Sequence, residues 1–294
     1  MLILVVGATG HLGQHVVRQL VADGHTVRAM TRVPVRARAV VAAGAEVVVG
    51  DLRDAASLHD AVCGAEVVVS AAHSMLGTGK RSSAKVDDAG QCALLAAARH
   101  AGVSHFVFTS VLGAALTHPV DFWRTKAKVE QQLQVSGLAF TIVRPAAFME
   151  MHAYELIGKA VASGKRVVIF GPGDNPRNYV AAADVASLVV HAVGDASLRG
   201  ATIDVGGPEN LTTRQVIAIF ERVTGRRAAV VSIPLPVLRA MAPLLAPLHG
   251  GVSRILRASV VGETTDQAFD PASFQGRFPV PLTRLEDWAR ARLV

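Results

Sequence analysis

Short apolar runs and amphipathic stretches alternate along the first half of the chain. Met1–Val6 is apolar almost throughout, the mark of a strand buried on both faces. Behind it, Leu12, Val16, Val17, Leu20 and Val21 recur at spacings of three and four, which predicts a helix with one apolar stripe. The alternation continues. Strands are predicted at Thr26–Met30, Val47–Val49, Val67–Ser70, Phe106–Thr109 and Phe140–Val143. A helix over Gln91–His100 packs through Leu94, Leu95 and Ala98 and stops at Gly102. Strands alternating with helices imply a mostly parallel, doubly wound α/β sheet covered on both faces.

Beyond Pro145 the pattern loosens. A helix is expected over Glu150–Ser163 and a strand over Val167–Phe170, followed by a turn-rich segment, Gly171–Arg177. Asp184 reads as the N-cap of a helix running to about Val193, and Thr212 as the cap of Arg214–Val223, which ends at Gly225. Thr283 and Glu286 have the spacing of a capping box for a last helix carrying Leu285 and Trp288. The division expected is a core over 1–150 and a mixed region over 151–294. That second region returns one or two strands to the sheet and forms a small lobe on the substrate side.

The segment VVGATGHLGQHVV has the layout of a nucleotide-phosphate cradle. Gly7 permits a tight turn out of the first strand, Gly10 keeps a side chain out of the pyrophosphate's space, and Gly13 lets the helix pack closely. Thr9, His11 and Leu12 complete the turn, whose backbone amides and helix dipole face the phosphates. The fold expected is therefore of Rossmann type, with Gly7, Asp51, Ala71, Ser110 and Pro145 at strand exits lining one crevice. An NAD site places a carboxylate at the exit of the second strand, but here Arg32 stands there, with Arg36 and Arg38 following. A missing acid and an arginine fork favour NADP(H) over NAD(H). Asp51 and Leu52 are expected near the adenine, unless Asp51 is only a turn residue. Ala71, Ala72 and His73 follow the fourth strand toward the nicotinamide.

Composition narrows the class. Half of the 294 residues are apolar, which supports a folded protein with a sizeable core. Cys63 and Cys92 give no disulfide framework and are expected to be buried. The net charge is +7, but the arginines are scattered, so no nucleic-acid partner is expected. No metal-ligand cluster, leader peptide or membrane-spanning run is legible, and a cytoplasmic location is expected. Leu235–Leu248 is apolar and broken by prolines, and is expected to form a lid or lobe core rather than a dimer face or membrane-surface helix.

The segment FVFTSVLGAALTHPVDFWRTKAKVEQQL places Ser110 at the fifth strand's exit and Lys126 on the next helix. Four residues before Lys126, on the same face, stands Phe122. With GATGHLG, Arg32, GDLRD, VVVSAAH, AARHAGVSHFVFTS, SGLAFTIVRPAAFME and the Asp184-Val185 helix start, the chain resembles an atypical short-chain dehydrogenase/reductase of the NmrA-like group. It is also similar to the NADPH:quinone oxidoreductases of that group. The resemblance covers most of the first 190 residues. It implies an NAD(P)(H)-binding domain in which Lys126 holds the nicotinamide ribose and Lys126 and Ser110 are the catalytic candidates. Phe122 departs from the tyrosine of the superfamily, so the usual proton donor is missing. Pro145 and Phe148 are expected beside the nicotinamide, with Phe148 and Met149 either an apolar wall or packing for the lobe. The function expected is an NADP(H)-dependent oxidoreductase passing hydride to a quinone-like or other apolar conjugated acceptor. The alternative is a non-catalytic NADP(H)-binding sensor acting through protein contacts. A homodimer or a regulatory partner is open to either.

Overall fold

The computed structural model describes residues 1–77, 79 and 82–293. The first half runs β1 (Leu2–Val6), α1 (His11–Ala22), β2 (Thr26–Thr31), α2 (Arg38–Ala42), β3 (Glu46–Val49), α3 (Ala55–Val62) and β4 (Val67–Ser70). It continues with α4 (Gly90–His100), β5 (His105–Thr109), α5 (Asp121–Gln134), β6 (Phe140–Pro145) and β7 (Ala147–Phe148). Then come α6 (Lys159–Ala162), β8 (Val167–Phe170), β9 (Arg177–Val180), α7 (Ala182–Gly194), β10 (Ala201–Val205), β11 (Asn210–Leu211) and α8 (Thr213–Thr224). The chain closes with β12 (Val230–Ile233), α9 (Leu235–Leu245), α10 (Gly250–Thr264), α11 (Pro271–Gln275) and α12 (Leu285–Leu293). Two compact units result. One is Met1–Arg144 with Val185–Ile203, and the other is Pro145–Asp184 with Asp204–Val294.

The first unit is built on a sheet in the order β10-β6-β5-β4-β1-β2-β3. Strands β1 to β6 pair in parallel, so their C-terminal ends share one edge. The order reverses between β1 and β4, the switch point at which such sheets bind ligands. Leu4, Val6, Val68, Phe106, Phe108 and Ile142 join Leu58, Leu94, Leu95 and Leu133 in one core on one face. Ile3 and Val5, which alternate with them, are equally buried. That two-sided burial is why β1 reads as a continuous apolar run. α1 buries Leu12, Gly13, Val16, Val17 and Leu20, while Val21 sits only half-buried at the margin.

The second unit holds a three-stranded sheet, β11-β9-β7, and the parallel pair β12-β8. Its core gathers Ile157, Val167, Ile169, Val216, Phe220 and Leu285. α8 starts as its sequence predicts: the Thr212 hydroxyl accepts from the Gln215 amide, and the Gln215 side chain accepts from the Thr212 amide. Gly225 ends it at φ +67, a left-handed turn that glycine adopts without strain.

Several local expectations are corrected. The helix expected over Glu150–Ser163 starts as a wide π-type coil over Met149–Gly158 and tightens only at α6. Asp184 is inside the first turn of α7 rather than at its cap. Its carboxylate instead accepts from the Thr283 amide and hydroxyl at 2.7 and 2.8 Å. Thr283 thus donates to Asp184, and Glu286 accepts from Arg222 and Arg290, partners that the capping-box spacing did not predict. Among the described residues one late strand, β10, joins the main sheet. Neither cysteine is fully buried: Cys63 is exposed and Cys92 half-buried. α9 packs on α10 through Leu238, Ala242 and Leu256, and leaves Val237, Met241 and Leu244 exposed, as is Leu248 just after it.

Candidate functional site

The glycine turn is built by steric necessity. Gly7 leaves β1 at φ +85, and a Cβ there would sit 2.8 Å from the Ala72 amide nitrogen. The turn after β1 and the segment after β4 therefore touch backbone to backbone, which tolerates no side chain. Gly10 caps α1 in extended conformation, donates to the Gly7 carbonyl at 3.0 Å, and would place a Cβ 3.3 Å from that oxygen. A Cβ on Gly13 would collide with the Gly7 carbonyl and the Ala8 Cα, so α1 lies directly on the turn. No side chain caps α1. Its first-turn amides at His11, Leu12 and Gly13 form an anion-binding end with the dipole behind it. The Thr9 carbonyl accepts from the Gln14 side chain, which ties the turn to the helix.

At the next two exits the charges cluster. Gly50 donates to the Thr31 carbonyl at 3.1 Å, so the chain leaving β3 runs beside Arg32 leaving β2. Arg32, Arg36 and Arg38 are exposed. Asp51 meets a neighbour rather than open space. Its carboxylate accepts from the Arg53 amide at 3.0 Å and from the Arg53 guanidinium through two nitrogens. The Arg53 hydrogen bond holds the Asp51 carboxyl below the usual carboxylate range, and the Arg32 charge adds to this. Leu52 is buried in the first unit's core, where its Cβ lies against Gly90. Its position serves packing inside the unit.

Beyond β4 the loop is braced from below. Gln91 accepts from the Ser70 hydroxyl at 2.8 Å and donates to the Ala72 carbonyl. Asp87, fully buried, accepts from the Ser83 hydroxyl at 2.6 Å and the Ser74 amide at 2.8 Å. Sequence pattern alone did not single out Gln91 or Asp87, because a polar residue on a helix usually faces water. Ala71 and Ala72 are half-buried, and His73 keeps an exposed surface while its ring lies edge-on to Phe122 at 6.0 Å. Crowding of the ring, followed by the Lys126 charge, puts the His73 pKa below the usual imidazole value.

Lys126 is buried, only 2 % exposed. Its Nζ donates to the Thr109 carbonyl at 2.9 Å and lies 4.6 Å from the Phe108 ring centroid and 5.8 Å from that of Phe122. Burial pushes its pKa down, and Asp87 and Glu130 oppose that shift. Two further N–H donors of the ammonium remain for other partners. The hydroxyls of Thr109 and Ser110 are buried without a hydrogen-bond partner among the described residues. A buried orphan hydroxyl costs on the order of 1–3 kcal/mol, so a ligand that satisfies it gains that much in return. The first unit thus offers, along one sheet edge, an uncapped helix end, an exposed arginine and a lysine beside orphan hydroxyls. That donor set fits a dinucleotide: amides for pyrophosphate, lysine and serine for the ribose and nicotinamide end.

Pro145 closes β6, and Phe148 lies half-buried on β7 in the second unit. Met149 is buried in the second unit's core, as is Tyr179, so packing accounts for both. Trp123 stacks on His118 at 4.9 Å and donates to the Leu112 carbonyl. Among the described residues no helix is long and apolar enough to cross a membrane.

A parallel sheet reversing between β1 and β4, with a glycine turn at the reversal, defines the class: a Rossmann-type α/β protein. The chain belongs to the NmrA-like family, whose model matches residues 1–273. One relative is the NAD(P)H azoreductase of Xenophilus azovorans, 32% identical over 80% of this chain and 78% of that protein. Another is the photosystem II assembly factor Ycf39 of a Synechocystis species, 32% identical over 82% of this chain and 73% of its own. The family thus includes both an NAD(P)H-dependent oxidoreductase and assembly factors. In structure, the chain is similar to the NADPH-dependent quinone oxidoreductase QOR2 of Escherichia coli solved with NADPH. The TM-score is 0.79 over 100% of both chains at 24% identity, a likeness of fold.

Proposed function

We propose that this protein is an NADP(H)-dependent oxidoreductase that passes hydride to a quinone-like or other apolar conjugated acceptor. The reading rests on one arrangement: Lys126, buried with its Nζ on the carbonyl of Thr109, the residue before Ser110, has a phenyl ring where a proton-donating phenol would stand. Bound NADPH would supply the hydride. The glycine turn from Gly7 to Gly13 would hold the pyrophosphate and Arg32 the 2′-phosphate. Lys126 and Ser110 would hydrogen-bond the nicotinamide ribose and carboxamide end. A quinone that accepts hydride becomes a phenolate, which water or Lys126 can protonate. An unactivated ketone becomes a far more basic alkoxide that needs a positioned acid, and Phe122 provides none. The carboxamide and ribose contacts would also fix the nicotinamide C4 face toward the acceptor, which is what hydride transfer requires.

The relation to an assembly factor supports a second reading, in which NADP(H) is bound without turnover and its state is read by a partner protein. Stopped-flow mixing of the NADPH-loaded protein with quinones, enones, aldehydes and ketones separates the two. We expect oxidation of bound NADPH by quinones and little or none by ketones. Silence toward every acceptor selects the sensor, whereas rapid ketone reduction removes the quinone assignment and requires another acid.

A further inference from the structure

At the exits of β2 and β3, Arg53 grips the Asp51 carboxylate and Arg32 leaves the neighbouring strand alongside it. The strands are adjacent, with Thr31 in register with Val49, and the Gly50–Thr31 hydrogen bond carries that pairing one residue further. Arg32 therefore leaves its strand next to Asp51. The Asp51 backbone is fixed: its amide donates to the Ser57 hydroxyl at 3.0 Å, and its carbonyl accepts from the Asp54 amide at 2.9 Å. The Arg53 side chain folds back onto that carboxylate. It lies over the loop with Nε at 2.9 Å from Oδ1 and a terminal nitrogen on Oδ2, a two-pronged grip on a planar anion. About a third of the Arg53 side chain and a quarter of Asp51 stay accessible, so the pair sits at the surface of the cluster, not in the core.

A guanidinium fork that closes on a carboxylate closes equally well on two oxygens of a phosphate, which carries more charge. Two cations around one anion leave a net positive charge facing the exit of β2, where the 2′ position of an adenosine ribose is placed in folds of this order. We propose that Arg53 is the second arginine of a 2′-phosphate clamp shared with Arg32, and that Asp51 holds its guanidinium ready at the exit of β3. Arrival of the phosphate moves the fork from the carboxylate to the ligand. A dinucleotide lacking that phosphate leaves the Arg53–Asp51 pair closed, so the pair discriminates between the two cofactors. The inference rests on the NADP(H) reading above.

The test is calorimetric titration of NADPH, NADH and 2′,5′-ADP into the intact chain and three variants. Arg53→Gln should weaken NADPH and 2′,5′-ADP about tenfold, the loss of one charge-assisted contact, and leave NADH within about twofold. Asp51→Asn removes the competing carboxylate charge and should tighten NADPH about threefold, a fraction of one such contact. The double variant should bind NADPH as weakly as Arg53→Gln. Recovery of unsubstituted affinity in the double variant would mean that Arg53 only neutralises Asp51, and overturns the clamp. Equal weakening of NADPH and NADH by Arg53→Gln overturns it too. An unsubstituted protein without NADPH preference sinks both this inference and the NADP(H) reading. A preference undiminished by Arg53→Gln sinks the clamp alone.

Discussion

At the scale of single residues, the polar groups buried in the sheet decide how the first unit responds to acid. His105 is buried in β5, and its Nε2 lies 3.0 Å from the Thr141 hydroxyl. That hydroxyl spends its proton on the Leu198 carbonyl at 2.8 Å, so it must accept from His105. The proton is therefore on Nε2, and Nδ1 is buried without a partner among the described residues. Protonating Nδ1 would bury a charge with no acceptor. Burial, and then the Arg199 charge, lower the His105 pKa from 6.5 to about 4. The native state thus binds this proton less readily than the unfolded chain. The stability it contributes is complete above the unfolded value of 6.5 and is lost as pH falls toward about 4. The loss amounts to about 3 kcal/mol at most. Urea unfolding across that window should show stability falling with acid, and His105→Gln, which keeps a donor for Thr141, should flatten the slope. An unchanged slope would assign the acid sensitivity elsewhere.

At the scale of elements, the turn between β1 and α1 shows packing overriding propensity. Alanine is a better helix former than glycine by about 1 kcal/mol, so Gly13→Ala would stabilise an isolated helix. Here the added methyl meets the Gly7 carbonyl and the Ala8 Cα, both backbone and unable to move aside. We expect a net destabilisation of about 1–3 kcal/mol, the usual cost of overpacking, with loss of NADPH binding as the turn is pushed open. Chemical denaturation measures the first and titration the second. A variant as stable as the parent would show that α1 does not seat on the turn. A similar displacement of local rules occurs at α12. Thr283 and Glu286 have the capping-box spacing, yet Asp184 and two arginines claim them. Charge-assisted bonds to a carboxylate outcompete a neutral cap.

At the scale of the whole molecule, each of the two units has a hydrophobic cluster of its own and contains one of the two tryptophans. Trp123 reports on the unit with the glycine turn, and Trp288 on the other. Single-tryptophan variants, Trp288→Phe and Trp123→Phe, should therefore give different thermal transitions, since cooperativity is a property of a shared core. NADPH at about a hundred times its dissociation constant should raise the stability seen by Trp123 by about 2.7 kcal/mol. The transition seen by Trp288 should move less. Coincident transitions that shift together would make the molecule one cooperative unit and overturn this division. The exposed apolar side of α9 belongs to this scale as well, because the length and hydropathy of Leu235–Leu248 did not disclose which side chains would face inward.

What the sequence determined by itself was the part encoded at short range. The alternation of buried runs and amphipathic stretches specified the order of β1 to β6, and the spacing of Gly7, Gly10 and Gly13 specified the turn, because both depend only on neighbours a few positions away. The Phe122–Lys126 pairing was legible for the same reason, since four residues is one turn of helix. Tertiary structure alone decided what each polar group meets. Asp51 turned out to face Arg53, Leu52 went into the core, Asp184 reached 99 positions along the chain to Thr283, and Ser110 was left with a buried hydroxyl and no partner among the described residues. A side chain's chemistry is printed in the sequence. Its desolvation and its partners are set by which distant segments fold against it, and local periodicity holds no record of those contacts.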